Sequence, residues 1–171
     1  MKHQETSIPD NQKNTLGNSV YGVHHVGITV SDLERSINFY TKLGFRSLFS
    51  PLSYSGKELD EALNVKGTRL RSALLKAEDG TMIELLEYLE PKGRPNEGQN
   101  CDIGKIHVAF RVADIEKMVA EFKKTARFNS KPSAVNGGPL EGIKFVYFID
   151  PDGITLEFFQ ESPKSISSKA F

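Results

Sequence analysis

Two stretches of the chain repeat one order of residue types, and this repeat constrains the fold more than any other feature. Residues 25–34 read His-Val-Gly-Ile-Thr-Val-Ser-Asp-Leu-Glu, and residues 107–116 read His-Val-Ala-Phe-Arg-Val-Ala-Asp-Ile-Glu. A second match pairs residues 79–84, Asp-Gly-Thr-Met-Ile-Glu, with residues 152–157, Asp-Gly-Ile-Thr-Leu-Glu. Because the two matches occur in the same order, we infer an internal duplication and expect two halves of similar fold.

Each half predicts the element order βαβββ. An alternating strand leads into a helix with apolar residues at helical spacing, and the Asp-Gly turn opens another alternating strand. Residues 51–68 have no sequence counterpart in the second half, and this insertion is expected to hold a short helix near residues 58–63. The other strands are expected at residues 45–49, 69–77, 127–130 and 143–150. The prediction is an α+β fold of eight strands and two main helices.

The starts of the two main helices carry recognisable capping residues. Ser31 and Glu34 have the spacing of a capping box, in which the hydroxyl and the carboxylate each accept a backbone N–H. In the second half Ala113 has no side-chain acceptor, so Asp114 is expected to cap that helix instead.

Composition sets the domain bounds. Residues 1–19 and 162–171 are polar and predict disordered tails. Residues 20–161 then form a single domain, with a first module at about 20–90, a linker at 91–102 and a second module at about 103–161. No segment has the apolar core of a signal peptide or approaches the ~20 apolar residues that span a membrane.

Charge and cysteine content exclude several classes of function. Twenty-two basic and 22 acidic side chains leave no net charge, so neither a nucleic-acid partner nor a membrane partner is expected. Cys101 is the single cysteine, which rules out an intrachain disulfide and favours a reducing compartment. We therefore expect a cytoplasmic protein with a small-molecule substrate.

Four side chains of the types that bind metals lie on strand faces opposite the core. Bulky apolar residues share one face of the first strand in each half, which leaves His25 and His107 on the other face. Glu84 and Glu157 alternate with apolar residues in the last strands in the same way. Two carboxylates brought together repel unless a proton or a cation lies between them. Two imidazoles and two carboxylates suit Zn, Ni, Co, Mn or Fe, so these four residues predict one bound divalent metal ion.

These motifs resemble those of the vicinal oxygen chelate superfamily. The resemblance implies two paired βαβββ modules that form a cupped eight-stranded mixed sheet around a metal site. Its members include glyoxalase I, methylmalonyl-CoA epimerase, fosfomycin-resistance transferases, extradiol dioxygenases and bleomycin-binding proteins, so fold is implied more narrowly than chemistry. The residues that carry the resemblance are 25–40, Leu43-Gly-Phe45, Ile83-Glu-Leu-Leu86, His107-Val-Ala-Phe110 and Asp150-Pro-Asp-Gly-Ile-Thr-Leu-Glu157.

The ligand order His, Glu, His, Glu is similar to that of bacterial-type glyoxalase I. Those enzymes also carry a glutathione-binding Arg four residues after the first ligand and an Asn four residues after the second. Here these positions are Thr29 and Tyr88, which are predicted to contact a different substrate. Glutathione is not expected, because its carboxylate would lose the bidentate Arg partner.

The favoured function is that of a metal-dependent lyase or isomerase of the glyoxalase-like type, including epimerases. It would move a proton on a small metal-chelated 2-oxo or 2-hydroxy carbonyl or thioester substrate. Glu157 or Glu84 is expected to carry the proton. Arg111, on the face of His107, is expected either to pair with a substrate anion or to form a salt bridge at the rim.

Two alternatives use the same fold. One is an Fe(II)-dependent dioxygenase, and the other is a metal-free protein that binds and sequesters a small molecule such as a drug. The sequence also leaves open whether the modules pair within one chain or across a homodimer.

Overall fold

The computed structural model describes residue 20 and residues 22–162, so the predicted tails lie outside the described residues except for Ser162. The first half contains, in chain order, β1 (Val26–Val30), α1 (Leu33–Lys42), β2 (Arg46–Ser47), β3 (Leu52–Ser55), α2 (Lys57–Leu63), β4 (Arg69–Lys76) and β5 (Met82–Glu90). The second half contains β6 (Val108–Arg111), α3 (Ile115–Phe122), β7 (Arg127–Phe128), β8 (Ser133–Ala134), β9 (Lys144–Ile149) and β10 (Thr155–Gln160). None of these described helices has the length and apolar character needed to cross a membrane.

Each half forms its own mixed sheet, and the two sheets have the same strand order. The first runs β1-β5-β4-β2 with β3 beside β4, and the second runs β6-β10-β9-β7 with β8 beside β9. In each sheet the edge strand pairs in parallel with its neighbour, whereas the other pairings are antiparallel. The prediction of two βαβββ-like modules is confirmed. The expected single eight-stranded sheet is not formed within the described chain, which has two separate five-stranded sheets.

Two short strands explain the difference in strand number. β3 lies inside the predicted insertion and pairs with β4, and its counterpart β8 pairs with β9 in the same place. The unmatched part of residues 51–68 is therefore smaller than expected and centres on α2. Comparing the sequences of the two halves did not reveal this equivalence. Strand pairing is made by backbone N–H and C=O groups, so equivalent strands need not have similar side chains.

Both main helices begin at an aspartate. Asp32 accepts a 3.0 Å hydrogen bond from the backbone N–H of Arg35, and Asp114 accepts one of 2.9 Å from that of Lys117. The prediction for Asp114 is confirmed, whereas the prediction that Ser31 caps α1 is wrong. The Ser31 hydroxyl donates instead to Asp152 of the second module, 2.5 Å away, a tertiary contact that local spacing does not reveal.

The two modules share one hydrophobic core, to which the helix-covered faces of both sheets contribute. Phe39 of α1 packs against Phe122 of α3 with ring centroids 6.0 Å apart, and Phe45 packs against Phe110 of β6 at 5.9 Å. Because side chains alternate across a strand, the faces that carry the predicted ligands point away from this core. The two ligand-bearing faces therefore lie outside the core that the modules share.

Candidate functional site

The first predicted ligand pair lies where β1 begins. His25 immediately precedes β1, and Glu84 of β5 stands opposite Gly27 in the parallel pairing of these strands. Nε2 of His25 lies 3.3 Å from Oε2 of Glu84, with 38% and 29% of the two side chains exposed. Gly27 has no side chain beside this His–Glu pair, so the pair is open to a ligand on the face away from the core.

The second pair repeats this arrangement in the other module. His107 precedes β6, and Glu157 of β10 stands opposite Ala109. Nε2 of His107 lies 3.1 Å from Oε2 of Glu157, whose side chain is only 9% exposed. The duplication therefore places one histidine and one glutamate in contact in each module, as repeat-equivalent pairs.

The two pairs do not meet within one chain. No group of three or more His, Cys, Asp or Glu side chains is placed to share an ion among the described residues. Each pair belongs to its own sheet, and the two sheets share no strand pairing among the described residues. The structure thus brings the four predicted ligands together two by two, and a single four-ligand site within the chain is not formed.

Two of the predicted substrate-binding residues, Thr29 and Tyr88, line the same cavity. Its volume is about 640 Å³, and it runs along the edge of β1, with walls that include residues 92–96 of the linker and residues 151–155. Thr29 follows His25 on the open face, and Tyr88 follows Glu84 there. The cavity therefore begins next to the first ligand pair.

The third predicted substrate-binding residue, Arg111, forms a salt bridge. Its Nε lies 3.0 Å from a carboxylate oxygen of Glu161, and 77% of its side chain is exposed. The rim salt bridge that the sequence left open is thus present, and contact with a substrate anion stays a prediction.

Two acidic residues next to the turn between β9 and β10 hold the modules together. Asp150 accepts a 3.1 Å hydrogen bond from the buried hydroxyl of Tyr40, and burial raises the pKa of Asp150 above its usual range. Burial also favours the neutral form of Asp152, but hydrogen bonds from Ser31 and Arg35 outweigh it and lower the pKa of Asp152. The ionised Asp152 therefore joins the second module to the start of α1.

Sequence reasoning missed two neighbours of the ligand pairs. Nδ1 of His24 lies 2.8 Å from Nδ1 of His25, a contact between consecutive residues that both precede the regular strand. The second neighbour is Tyr147 of β9, which stands opposite Glu157. Counting the same number of residues on either side of the Asp152-Gly153 turn would have identified this pairing.

Residues 22–158 match the model of one protein family, described as the Glyoxalase/Bleomycin resistance protein/Dioxygenase superfamily. A 2-epi-5-epi-valiolone epimerase from an Actinomyces species is 34% identical over 141 residues, which are 79% of this chain and 76% of that protein. An uncharacterized protein of Escherichia coli K12 is 31% identical over 143 residues, 81% of this chain and 95% of that protein.

Solved structures show the same fold. A glyoxalase family protein from Bacillus cereus superposes with a TM-score of 0.74 at 21% identity, covering 85% of this chain and 97% of that one. A fosfomycin resistance protein from Listeria monocytogenes, solved with Mn(II) and sulfate, superposes with a TM-score of 0.56 at 14% identity, covering 87% and 99%. At these identities the likeness concerns the fold alone.

Proposed function

The chain belongs to the Glyoxalase/Bleomycin resistance protein/Dioxygenase superfamily, and from that premise we propose that it is a divalent-metal-dependent isomerase of the epimerase type. Its substrate would be a small 2-oxo or 2-hydroxy carbonyl compound or thioester that loses and regains a proton beside the carbonyl. The observation that carries the proposal is the pair of repeat-equivalent His–Glu contacts, with Nε2–Oε2 distances of 3.3 and 3.1 Å.

The donor atoms of the two pairs fit a transition-metal ion. Each pair offers one imidazole nitrogen and one carboxylate, and together they form the N₂O₂ set that suits Zn, Ni, Co, Mn or Fe. In each pair the two donors already lie close together on an open strand face, as two ligands of one ion must. Each module therefore supplies half of the protein ligands that such an ion takes.

A second copy of the chain would bring the two halves of the site together. β1 and β6 are edge strands of their sheets in the described chain, and an edge strand has one side free for a partner. We propose a dimer whose two-fold axis would bring the open face of the first module opposite the second module of the other copy. His25 and Glu84 of one subunit would then share an ion with the partner subunit's His107 and Glu157, giving two sites in each dimer.

Proton transfer is the chemistry that these residues serve best. A bound divalent cation would supply positive charge that stabilises a substrate carbonyl oxygen as the neighbouring carbon is deprotonated. One glutamate carboxylate would take the proton from one face of that carbon, and the other glutamate, in its protonated form, would deliver a proton to the opposite face, which inverts the centre without oxidant or reductant. The epimerase activity in the name of the Actinomyces relative supports this class of reaction.

The residues beside the first pair support a substrate other than glutathione. Thr29 and Tyr88 line the adjoining cavity, and neither side chain carries a charge to pair with the carboxylates of glutathione. Arg111 is engaged by Glu161. Thr29 and Tyr88 can bind hydroxyl groups of a substrate as hydrogen-bond donors and acceptors.

The test combines metal analysis with isotope exchange. Protein purified without a tag or added metal is analysed for bound elements, and is then incubated anaerobically in D₂O with 2-hydroxy ketones, 2-oxo aldehydes and acyl thioesters. We expect deuterium at the carbon beside the carbonyl with the wild type and none with His107→Ala. Absence of metal uptake, or absence of exchange with all three substrate classes, would contradict the proposal.

A further inference from the structure

Three cationic side chains line the cavity beside β1 and have no carboxylate partner. Lys92 and Arg94 belong to the linker, and Lys105 lies shortly before β6. None of the three forms an ion pair within the described part of the chain. Nζ of Lys105 donates a 3.1 Å hydrogen bond to the backbone carbonyl of Asn96, which leaves the charge of the lysine unneutralised. We call these three residues the basic cluster.

The acidic side chain of the cavity does not offset the basic cluster. Among the described residues that line the cavity, Asp152 is the one carboxylate. It lies 2.7 Å from the guanidinium of Arg35 and accepts a hydrogen bond from the hydroxyl of Ser31. Because Arg35 neutralises Asp152, the cavity keeps an excess of three positive charges, and such an excess in a concave site attracts an anion.

The cavity connects the basic cluster with the first His–Glu pair. Gly27 stands opposite Glu84, and the lining continues along β1 from Gly27 to Ser31. Four strand residues extend over about 13 Å, at about 3.3 Å per residue. Since β5 runs parallel to β1, the linker that carries Lys92 begins at the Ser31 end. One molecule can therefore reach the His–Glu pair with one end and the basic cluster with the other.

The charges of the basic cluster fit a phosphate group better than a carboxylate. A phosphate monoester carries about −1.5 to −2 charges at pH 7 and has three strong acceptor oxygens, whereas a carboxylate carries a single charge. The planar guanidinium of Arg94 can bind two phosphate oxygens at once, and the ammonium groups of Lys92 and Lys105 add point charges. Thr29 and Tyr88 line the same cavity, and each brings a hydroxyl that can bind a substrate hydroxyl.

We propose that the basic cluster binds a phosphate group of the substrate, and that the substrate is a phosphorylated polyhydroxy ketone or aldehyde. This inference rests on the proposed function and names its substrate class. The carbonyl end would lie at the first His–Glu pair and the phosphate at the linker. The basic cluster takes no part in proton transfer, and its contribution is to bind a part of the substrate that does not react.

The first measurement is phosphate binding, which needs no substrate. Inorganic phosphate is titrated into the protein as purified, at constant ionic strength, and the backbone amide signals of Gly93 and Gly104 in the cavity wall are followed by NMR. The variants are Lys92→Gln/Arg94→Gln and a matched control, Arg46→Gln/Lys66→Gln, which removes the same charges from exposed positions outside the cavity.

We expect saturable shifts of these two amides in the wild type and in the control. The Lys92→Gln/Arg94→Gln variant should bind phosphate roughly 10–100-fold more weakly, because it loses charge-assisted hydrogen bonds. Absence of saturable shifts in the wild type, or equal affinity in this variant, overturns the inference. A parallel titration with acetate tests the kind of anion, and acetate bound as tightly as phosphate overturns the assignment to a phosphate group.

The second measurement is substrate preference. Proton exchange in D₂O is compared for dihydroxyacetone and fructose, each with and without a phosphate group. We expect the wild type and the control to favour the phosphorylated member of a pair at least tenfold in kcat/KM. That ratio should fall toward one in Lys92→Gln/Arg94→Gln. Equal exchange of both members by the wild type, or a ratio unchanged in this variant, overturns the inference.

The two measurements distinguish failure of the inference from failure of the proposed function. If the wild type exchanges the proton of a carbonyl substrate but does not bind phosphate at the basic cluster, only the inference is wrong. If phosphate binds there but the wild type exchanges no proton in any of the compounds tested, the proposed function is wrong, and the assignment of the phosphate to its substrate is overturned with it.

Discussion

The guanidinium of Arg35 in α1 lies 2.7 Å from the carboxylate of Asp152, which belongs to the turn between β9 and β10 of the other module. The hydroxyl of Ser31 reaches the same carboxylate oxygen. These contacts tie the start of the first helix to the second sheet and keep the helix-covered faces of both sheets together.

We expect Asp152→Asn to destabilise the chain at pH 7 by about 1.5–3 kcal/mol, because hydrogen bonds to an ionised carboxylate are lost. The pKa of Asp152 is lowered in the folded state, so its contribution is complete above the unfolded-state pKa of about 4 and is lost as pH falls through the lower folded-state value. Urea denaturation of both proteins from pH 7 to pH 3 checks this. The difference in the free energy of unfolding between the two proteins should shrink as the pH falls. A difference that grows would contradict the prediction.

The matched control for that measurement is Glu58→Gln. Glu58 is an exposed carboxylate in the first turn of α2, far from the contact between modules. We expect the variant to stay within about 0.5 kcal/mol of the wild type.

His25→Ala and His107→Ala should each lose most of the bound metal and keep the fold. The two histidine side chains are 38% and 47% exposed and lie outside the core, so removing either weakens the ligand set more than the core. Element analysis checks the metal, and circular dichroism with a thermal melt checks the fold. Wild-type metal content in both variants would refute the assignment of these histidines.

Mixing those two variants tests whether the site spans two subunits. A mixed dimer contains one intact site, made of the first module of His107→Ala and the second module of His25→Ala. Unfolding the variants together and refolding them should restore roughly a quarter of the wild-type metal, because half of the dimers are mixed and each has one of two sites intact. If each site were built within one chain, no metal would return.

Glutathione hemithioacetal should be a poor substrate. Thr29 and Tyr88 replace the charged and amide anchors expected for glutathione, so the ligand set alone does not provide its binding. A steady-state assay with the metal-loaded protein checks this. A kcat/KM of about 10⁴ M⁻¹s⁻¹ or higher would place it in the normal range for an enzyme's own substrate and would contradict the prediction.

Turnover should not require oxygen. With two imidazoles and two carboxylates on a six-coordinate ion, two positions remain, and a bidentate substrate fills both. We expect proton exchange under anaerobic conditions with Ni(II) or Co(II). Activity restricted to Fe(II) and accompanied by stoichiometric O₂ uptake would favour the dioxygenase alternative.

The amino-acid sequence by itself determined the architecture of each module. The alternation around His25 and His107, the Asp-Gly turns before Glu84 and Glu157 and the helical spacing that follows each first strand are local signals, and the structure has the elements that they predict. The His–Glu contact within each module depends on the parallel pairing of β1 with β5 and of β6 with β10, strands that are not consecutive in the chain.

Only the tertiary structure decided how the modules face each other. Alternation identifies two faces of a strand, but it shows neither what covers the outer face nor how two such sheets pack against each other. The contacts that set how the modules pack, such as those of Arg35 with Asp152 and of Phe45 with Phe110, join residues far apart in sequence. The packing of the modules depends on complementary shape and charge between their folded surfaces. Residue spacing along the chain does not reveal this complementarity.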